Sequence, residues 1–237
     1  MRFGKSDKIQ FISTVEGLES IEECLPKPAK HFIPKWFKDI PSQVDEVTTV
    51  KNCPSFPDYF SQGYIIPMWT DAILQSDKEK WNWQTPTNKI SWDMHGKTQF
   101  LDYVDVSFNG VKAQTVFKAI CPWRIITPPG WSVLQLPLFY HFNQEWSVLP
   151  GVIDTDIHTE VNQQVLYHGD GKEITIKCGD PFVLYIPFKR SNRLKHQVRF
   201  MNKKEQKRFS KDSLNLKKQF PPNGSYRKLQ RKRDNQL

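Results

Sequence analysis

The chain has 237 residues, of which 38% are hydrophobic and 13% aromatic, with eight Trp and sixteen Phe; that is ample apolar mass for a core and excludes a chain disordered throughout. Seventeen Pro outnumber eleven Gly, which argues against long helices and for short strands joined by stiff connections. The net charge of +9 is divided unevenly, because residues 189–237 hold 17 Lys and Arg against 3 Asp and Glu while residues 1–188 hold 17 against 22. The expected organisation is therefore one β-rich domain over 1–188, with a proline-paced arm over 1–60 packed on it, and a basic tail over 189–237.

In chain order, Ile9 to Ser13 reads as a first strand. Ser13-x-x-Glu16 has the form of a capping box and predicts a short helix with Leu18, Ile21 and Leu25 on one face, ended by Pro26 and Pro28. Pro34 followed by Trp36 and Phe37 predicts a brief turn anchored by aromatic burial. Asp58 to Gln62, with Pro57 before it and Gly63 after it, predicts one helical turn, and a strand follows over Tyr64 to Met68. Short β-type runs then recur at 89–93, 100–108, 115–120, 132–139, 148–154, 161–167, 173–177 and 182–188. Asn109-Gly110 is a strong hairpin signal, and the unbroken apolar run from Phe182 to Phe188 predicts a central strand covered on both faces. The fold class implied is an antiparallel β-sandwich or jelly roll, cupin-like in one version, with a few short helices.

No apolar run approaches the ~18–20 residues of a membrane span, and Met1 to Lys8 is charged with no apolar stretch behind it, so neither membrane contact nor a signal peptide is expected. Cys24, Cys53, Cys121 and Cys178 are widely spaced without a C-x-x-C pair and read as reduced thiols, mostly buried. Neither a G-x-S-x-G elbow nor a phosphate-binding glycine loop is present.

Two clusters carry metal-ligating chemistry. His168-Gly169-Asp170 has the H-x-D form of a two-His-one-carboxylate Fe(II) site, the third ligand being His158 or His196; the same residues also suit a tight turn, with Gly169 and Gly171 free to adopt positive φ. Asp154, Asp156, His158 and Glu160 alternate along a segment that, if extended, turns all four to one side, where they would hold a hard cation or simply face water. Trp81 and Trp83, with Trp69, Trp92 and Trp131 elsewhere, would either line a groove for a sugar or a base or fill the core, the commoner use of such rings.

In the tail, Asn202-x-x-Glu205 predicts a capped helix running toward Gln219, which brings Lys203, Lys204, Lys207, Arg208 and Lys211 onto one element. After the Pro221-Pro222-Asn223-Gly224 stop, Arg227, Lys228, Arg231, Lys232 and Arg233 form a second cationic cluster. Such a tail either binds a polyanion, electrostatically and without sequence preference, or folds back on the acidic body.

Three sequence blocks, Trp123-x-Ile125-x-Thr127-Pro128-x-Gly130-x-Ser132, Leu149-Pro150-Gly151-Val152-Ile153-Asp154-Thr155-Asp156, and Gly179-Asp180-Pro181 with Ile186-Pro187-Phe188-Lys189-Arg190, resemble a family of uncharacterised bacterial and tailed-phage proteins, cyanophages included, catalogued as a domain of unknown function. Cys53-Pro54-x-Phe56, Gly63 to Pro67 and the segment Pro28 to Phe37 are similar to it as well. The resemblance implies a compact β-sandwich of phage or bacterial origin and names no chemistry. With the charge asymmetry, it suggests a non-enzymatic binding or structural protein without a cofactor. Its partners would be nucleic acid or other phage proteins, and its place the host cytoplasm or the virion. The alternative is a cupin-like Fe(II)-dependent oxygenase.

Overall fold

A computed structural model of the chain describes residues 8–77, 80–108, 110–191 and 194–217, with the side chains of Phe108 and of 212–217 outside the description. The chain divides into two compact units, residues 1–32 with 63–192, and residues 33–62 with 193–237. It is mainly β, all of its strand pairs antiparallel among the described residues, as the short alternating runs imply.

Strands are numbered β1 to β18 along the chain. The first unit is an antiparallel β-sandwich. One sheet has the order β15 (Gly151–Ile153), β13 (Trp131–Leu136), β18 (Pro181–Lys189), β5 (Tyr64–Pro67) and β2 (Lys27–Pro28). The other has β14 (Trp146–Val148), β16 (Gln163–Tyr167), β11 (Thr115–Ala119) and β8 (Trp92–His95). A three-stranded sheet of β17 (Ile174–Ile176), β6 (Ala72–Ser76) and β7 (Trp81–Gln84) meets the latter through a contact between the buried hydroxyls of Ser76 and Thr115. Two ribbons complete it, β1 (Gln10–Ser13) with β12 (Trp123–Ile126), and β9 (Ser107–Phe108) with β10 (Val111–Lys112).

The sheets meet at Phe182. Its ring, fully buried on β18, touches three indoles: Trp69 at 5.7 Å, Trp92 at 6.3 Å and Trp146 at 5.3 Å between centroids. A buried polar chain crosses the same interior. The Gln163 amide donates to the Tyr185 hydroxyl at 2.7 Å, which donates to the Gln135 side-chain oxygen at 2.8 Å, and the Gln135 amide donates to the Leu149 carbonyl at 2.9 Å. A buried polar group without a partner costs about 1–3 kcal/mol, so this chain fixes how β13, β16 and β18 face one another.

Gly63 starts β5 at φ 67, and a Cβ there would lie 2.1 Å from the Tyr185 carbonyl oxygen on β18. Only glycine permits that approach.

The second unit contains α1 (Lys35–Asp39), α2 (Ser55–Phe60), the hairpin of β3 (Gln43–Val44) and β4 (Val47–Thr48), and α3 (Lys203–Lys217). Asp45 and Glu46 turn that hairpin with φ of 45 and 67, the two positive values that a two-residue turn of this hand requires. Phe37 stacks on Phe56 at 5.8 Å and tilts against Phe60 at 4.9 Å, while the Lys51 ammonium sits 5.1 Å from the Phe37 ring centre and donates to the Phe37 and Lys38 carbonyls.

Three sequence expectations require correction. The helix expected after Ser13 is two 3-10 turns, Leu18–Ser20 and Glu22–Cys24, because the Ser13 hydroxyl bonds the Val15 amide at 3.1 Å and Gly17 takes φ 84. The run 100–108 is strand only at Ser107–Phe108; before that the chain turns, with the Asp102 amide on the Lys97 carbonyl and Tyr103 on Phe100. The run 148–154 is broken at Leu149-Pro150, and its halves, β14 and β15, belong to opposite sheets. The strands β6, β7 and β12 fall outside every run expected from the sequence.

Phe182→Ala should lower the stability of the first unit by about 3–5 kcal/mol, since three tryptophan faces would then line a cavity. Gly63→Ala should cost at least the ~1–2 kcal/mol of a left-handed alanine. Urea midpoints with unchanged slopes measure both, and a loss well below 1 kcal/mol at either position would contradict the packing described.

Candidate functional site

Polar residues of the three sequence blocks converge at one end of the sandwich. β14 and β15 are joined so tightly that the chain leaves β15 at Asp154 in a turn rather than an extended run: the Ile157 and His158 amides both donate to the Asp154 carbonyl, at 3.0 and 2.9 Å. Opposite, β18 ends at Lys189, and the Arg190 amide bonds the Gly130 carbonyl at 2.9 Å, which aims the guanidinium back along β13. Arg190 grips Asp156 through both nitrogens, at 2.9 and 2.6 Å. Its Nη1 also reaches the Trp131 carbonyl at 3.0 Å, the Ser132 hydroxyl at 2.9 Å and Asp154 at 3.1 Å. Ser132 donates to Asp154 at 2.6 Å, Gly130 donates its amide to Asp156 at 2.7 Å, and Thr127 and Thr155 share a hydroxyl contact at 2.8 Å.

This geometry corrects the reading of Asp154, Asp156, His158 and Glu160 as four side chains along one extended segment. The turn at 155–157 separates them: Asp154 and Asp156 hold Arg190, His158 is exposed, and Glu160 pairs with Arg124 at 3.5 Å. A planar guanidinium takes a carboxylate by two parallel bonds, which a cation ligated by Asp156 would have to displace. The Asp156 side chain is only 7% exposed, and its hydrogen bonds from Arg190 hold its carboxyl below the usual range, opposed by desolvation and helped by the Gly130 amide. The acceptor that Ser132 uses is a carboxylate already paired with a guanidinium, so this array is a charge-assisted clasp.

His168-Gly169-Asp170-Gly171 is the turn between β16 and β17, closed by the Lys172 amide on the Gly169 carbonyl at 3.0 Å, with Asp170 at φ 49 and Gly171 at φ 82. The buried His168 ring contacts the Ser147 hydroxyl at 3.1 Å, and burial lowers its pKa, which favours the neutral ring. Asp170 instead accepts from Gln114 at 3.3 Å. His196 belongs to the other unit. Among the described residues no three His, Cys, Asp or Glu side chains gather closely enough to hold a metal ion.

One feature escaped the sequence reading. The loop after β13 forms a cavity of about 460 Å³ with walls from Leu138, Phe139, Phe142, Trp146, Val148 and Pro181. Phe139 is 67% exposed and Phe142 52%, the latter at φ 51. His141 also lines it, its pKa lowered by burial against a hydrogen bond to the Phe32 backbone that raises it. The only signal in the sequence was Leu138-Phe139-Tyr140-His141-Phe142, an aromatic run with no alternation, whose first two residues fell at the end of the strand expected over 132–139. Of the tryptophans weighed as a groove, Trp69 and Trp92 are core residues, while Trp81 on β7 is 43% exposed.

In the second unit, Asn202 caps α3 as its sequence implies. Its side-chain oxygen accepts from the Lys204 and Glu205 amides at 3.0 Å each, and Glu205 reaches back to the Asn202 amide at 2.9 Å. Arg199 grips Glu205 through both nitrogens, and this pairing first, then the Asn202 amide, lowers the Glu205 carboxyl to about 2. Lys203, Lys204, Lys207, Arg208 and Lys211 are all exposed. On a helix turning about 100° per residue they share one arc of about 140°, with Glu205 and Phe209 outside it. Arg227, Lys228, Arg231, Lys232 and Arg233 lie outside the described residues.

Arg190→Met should lower the denaturation midpoint and leave the Asp156 carboxylate without its main partner. Because the folded pKa of Asp156 is depressed, its contribution is complete above the ordinary aspartate value of about 3.9 and is lost as pH falls through the lower folded value. The stability of Asp156→Asn should accordingly fall less steeply than wild type below about pH 4. Parallel acid limbs for the two proteins in urea titrations would show that the clasp does not form.

No family model matches the sequence, and no curated protein matches it. Solved structures similar to the chain include mutant forms of two phage dUTPases. One is from phage phi11 of S. aureus, at 11% identity and TM-score 0.37, covering 82% of this chain and 98% of that one. The other is from Staphylococcus bacteriophage 80alpha, at 10% identity and TM-score 0.38, covering 83% of this chain and 99% of that one. At these scores the likeness carries no argument about this chain.

Proposed function

We propose that the chain is a non-enzymatic binding protein, a β-sandwich unit carrying a cationic helix that docks on a polyanion, nucleic acid in the first instance. The observation that carries this reading is the exposed face of α3, where five cations share one arc on a helix held by a complete capping box. Over the nine residues from Lys203 to Lys211 the helix rises about 12 Å, so the arc is a continuous stripe rather than scattered surface charge. Each cation that neutralises a phosphate releases condensed counterions, and the binding is then steeply dependent on salt and indifferent to sequence. No aromatic side chain lies on the arc to stack a base, which favours backbone contact over readout. The resemblance of the sequence blocks to an uncharacterised phage family supports a place in phage assembly or at a virion surface.

The test uses the full chain and mixed-sequence double-stranded DNA. Replacing Lys203, Lys204, Lys207, Arg208 and Lys211 together by Gln preserves the helix cap, which depends on Asn202 and Glu205. Affinity at 50 mM salt should fall at least tenfold. The slope of log K against log salt should flatten by about 0.9 for each phosphate that the variant no longer neutralises. Equal affinity and equal slope in the two proteins would refute the reading.

A further inference from the structure

Two thiols far apart in sequence meet in the first unit. Cys24 ends the 3-10 turn Glu22–Cys24 and is fully buried, its Sγ directed at the Trp69 carbonyl at 3.6 Å. Cys178 lies in the turn between β17 and β18 and is exposed. The two sulfurs are 3.1 Å apart, across a sequence separation of 154. Both sides of the contact are rigidly placed. The Cys178 amide donates to the Asp71 carboxylate at 2.8 Å, the Gly179 amide to the Met68 carbonyl and the Met68 amide to the Asp180 carbonyl at 2.8 Å each, and the Lys177 amide to the Asp180 carboxylate at 2.9 Å. On the other side the Cys24 amide bonds the Ile21 carbonyl at 3.0 Å. A cleft of about 510 Å³ opens beside Cys178, with Glu23, Lys27, His31 and Phe32 on its walls.

We infer that Cys24 and Cys178 are a redox-responsive pair that closes to an intramolecular disulfide when a small disulfide such as oxidised glutathione enters that cleft. In the first step the Cys178 thiolate attacks one sulfur of the oxidant; the protein–glutathione bond forms, the glutathione disulfide breaks, and one reduced glutathione leaves. In the second, Cys24 loses its proton, attacks the Cys178 sulfur and expels the second reduced glutathione. Two protein thiols are thereby oxidised and one glutathione disulfide is reduced to two thiols. The order of events follows from exposure and acidity together: burial, then the neighbouring Cys178, pushes the Cys24 thiol up to about 12, so the accessible Cys178 reacts first and Cys24 resolves. Closure needs the sulfurs to approach by about 1 Å, to the ~2.05 Å of a bond. The product ties the N-terminal segment to the β17–β18 turn and closes a chain loop spanning the 154-residue separation, which constrains the unfolded state strongly. The other cysteines stand apart: Cys121 is fully buried and Cys53, in the second unit, contacts the Ser55 hydroxyl at 2.9 Å.

The full chain, reduced and then incubated with oxidised glutathione, should lose the mass of two hydrogens at this pair. Digestion without reductant should yield one Cys24–Cys178 cross-linked peptide. The oxidised protein should unfold at a higher urea midpoint, and dithiothreitol should restore the original one. Cys24→Ala should instead retain a glutathione adduct on Cys178. Cys178→Ala, a change at an exposed turn, should show no midpoint shift with the oxidant. A wild-type protein that keeps the adduct on Cys178 while Cys24 remains alkylatable after unfolding would overturn the inference, as would a Cys178 disulfide between two chains.

Discussion

The first unit depends on one ring. Phe182 is the point at which the β18 sheet meets the β8–β11–β16–β14 sheet, and the three indoles around it come from a loop after β5, from β8 and from the start of β14. Each of those segments buries its tryptophan only if the others are in place. Aromatic contacts of this kind exceed simple area burial by about 0.5–1.5 kcal/mol per pair, and here three share one partner, so assembly of the two sheets is cooperative. The polar chain Gln163–Tyr185–Gln135 then removes the remaining freedom: a slip of β18 by one residue would take the Tyr185 hydroxyl from both glutamines and leave the buried Gln135 oxygen without its donor.

From this core the placement of the polar end follows. β18 is the longest described strand and ends beside Arg190, while its neighbour β13, and beyond β13 the turn after β15, bring Gly130, Ser132, Asp154 and Asp156 to that arginine. A mobile guanidinium would be a poor partner for two carboxylates that lie two residues apart. Fixed by the register of β13 against β18, it satisfies both, and the result is a closed set of charge-assisted bonds. The second unit handles charge in the opposite way. There Glu205 is committed to Arg199 and to the helix cap, and the five cations of the α3 arc are exposed.

Antiparallel β class was legible in the sequence, because alternation and turn residues are local properties. So were the position of β18 as a central strand and the Asn202–Glu205 cap of α3, and the helical turn expected over 58–62 overlaps α2, which runs from Ser55 to Phe60. Local signals failed where two local rules compete. Ser13-x-x-Glu16 satisfies a capping pattern, yet Gly17 at positive φ ends any helix there; Val148 to Asp154 alternates well enough for a strand, yet Leu149-Pro150 carries the chain from one sheet to the other.

For the candidate sites, the chain itself determined which residues could matter: the acidic pair near 155, the His-Gly-Asp-Gly turn and the cationic stripe all stand in sequence as short-range patterns, and a helical stripe needs nothing more than a helical period to exist. Only the tertiary structure decided what the acidic pair does, since its partner Arg190 is 34 residues away from Asp156 and is delivered by strand register. The same holds for the aromatic cavity after β13 and for Cys24 meeting Cys178 across 154 residues. Long-range pairings of that kind are set by which faces of two sheets bury the same ring, and no periodicity within either segment carries that information.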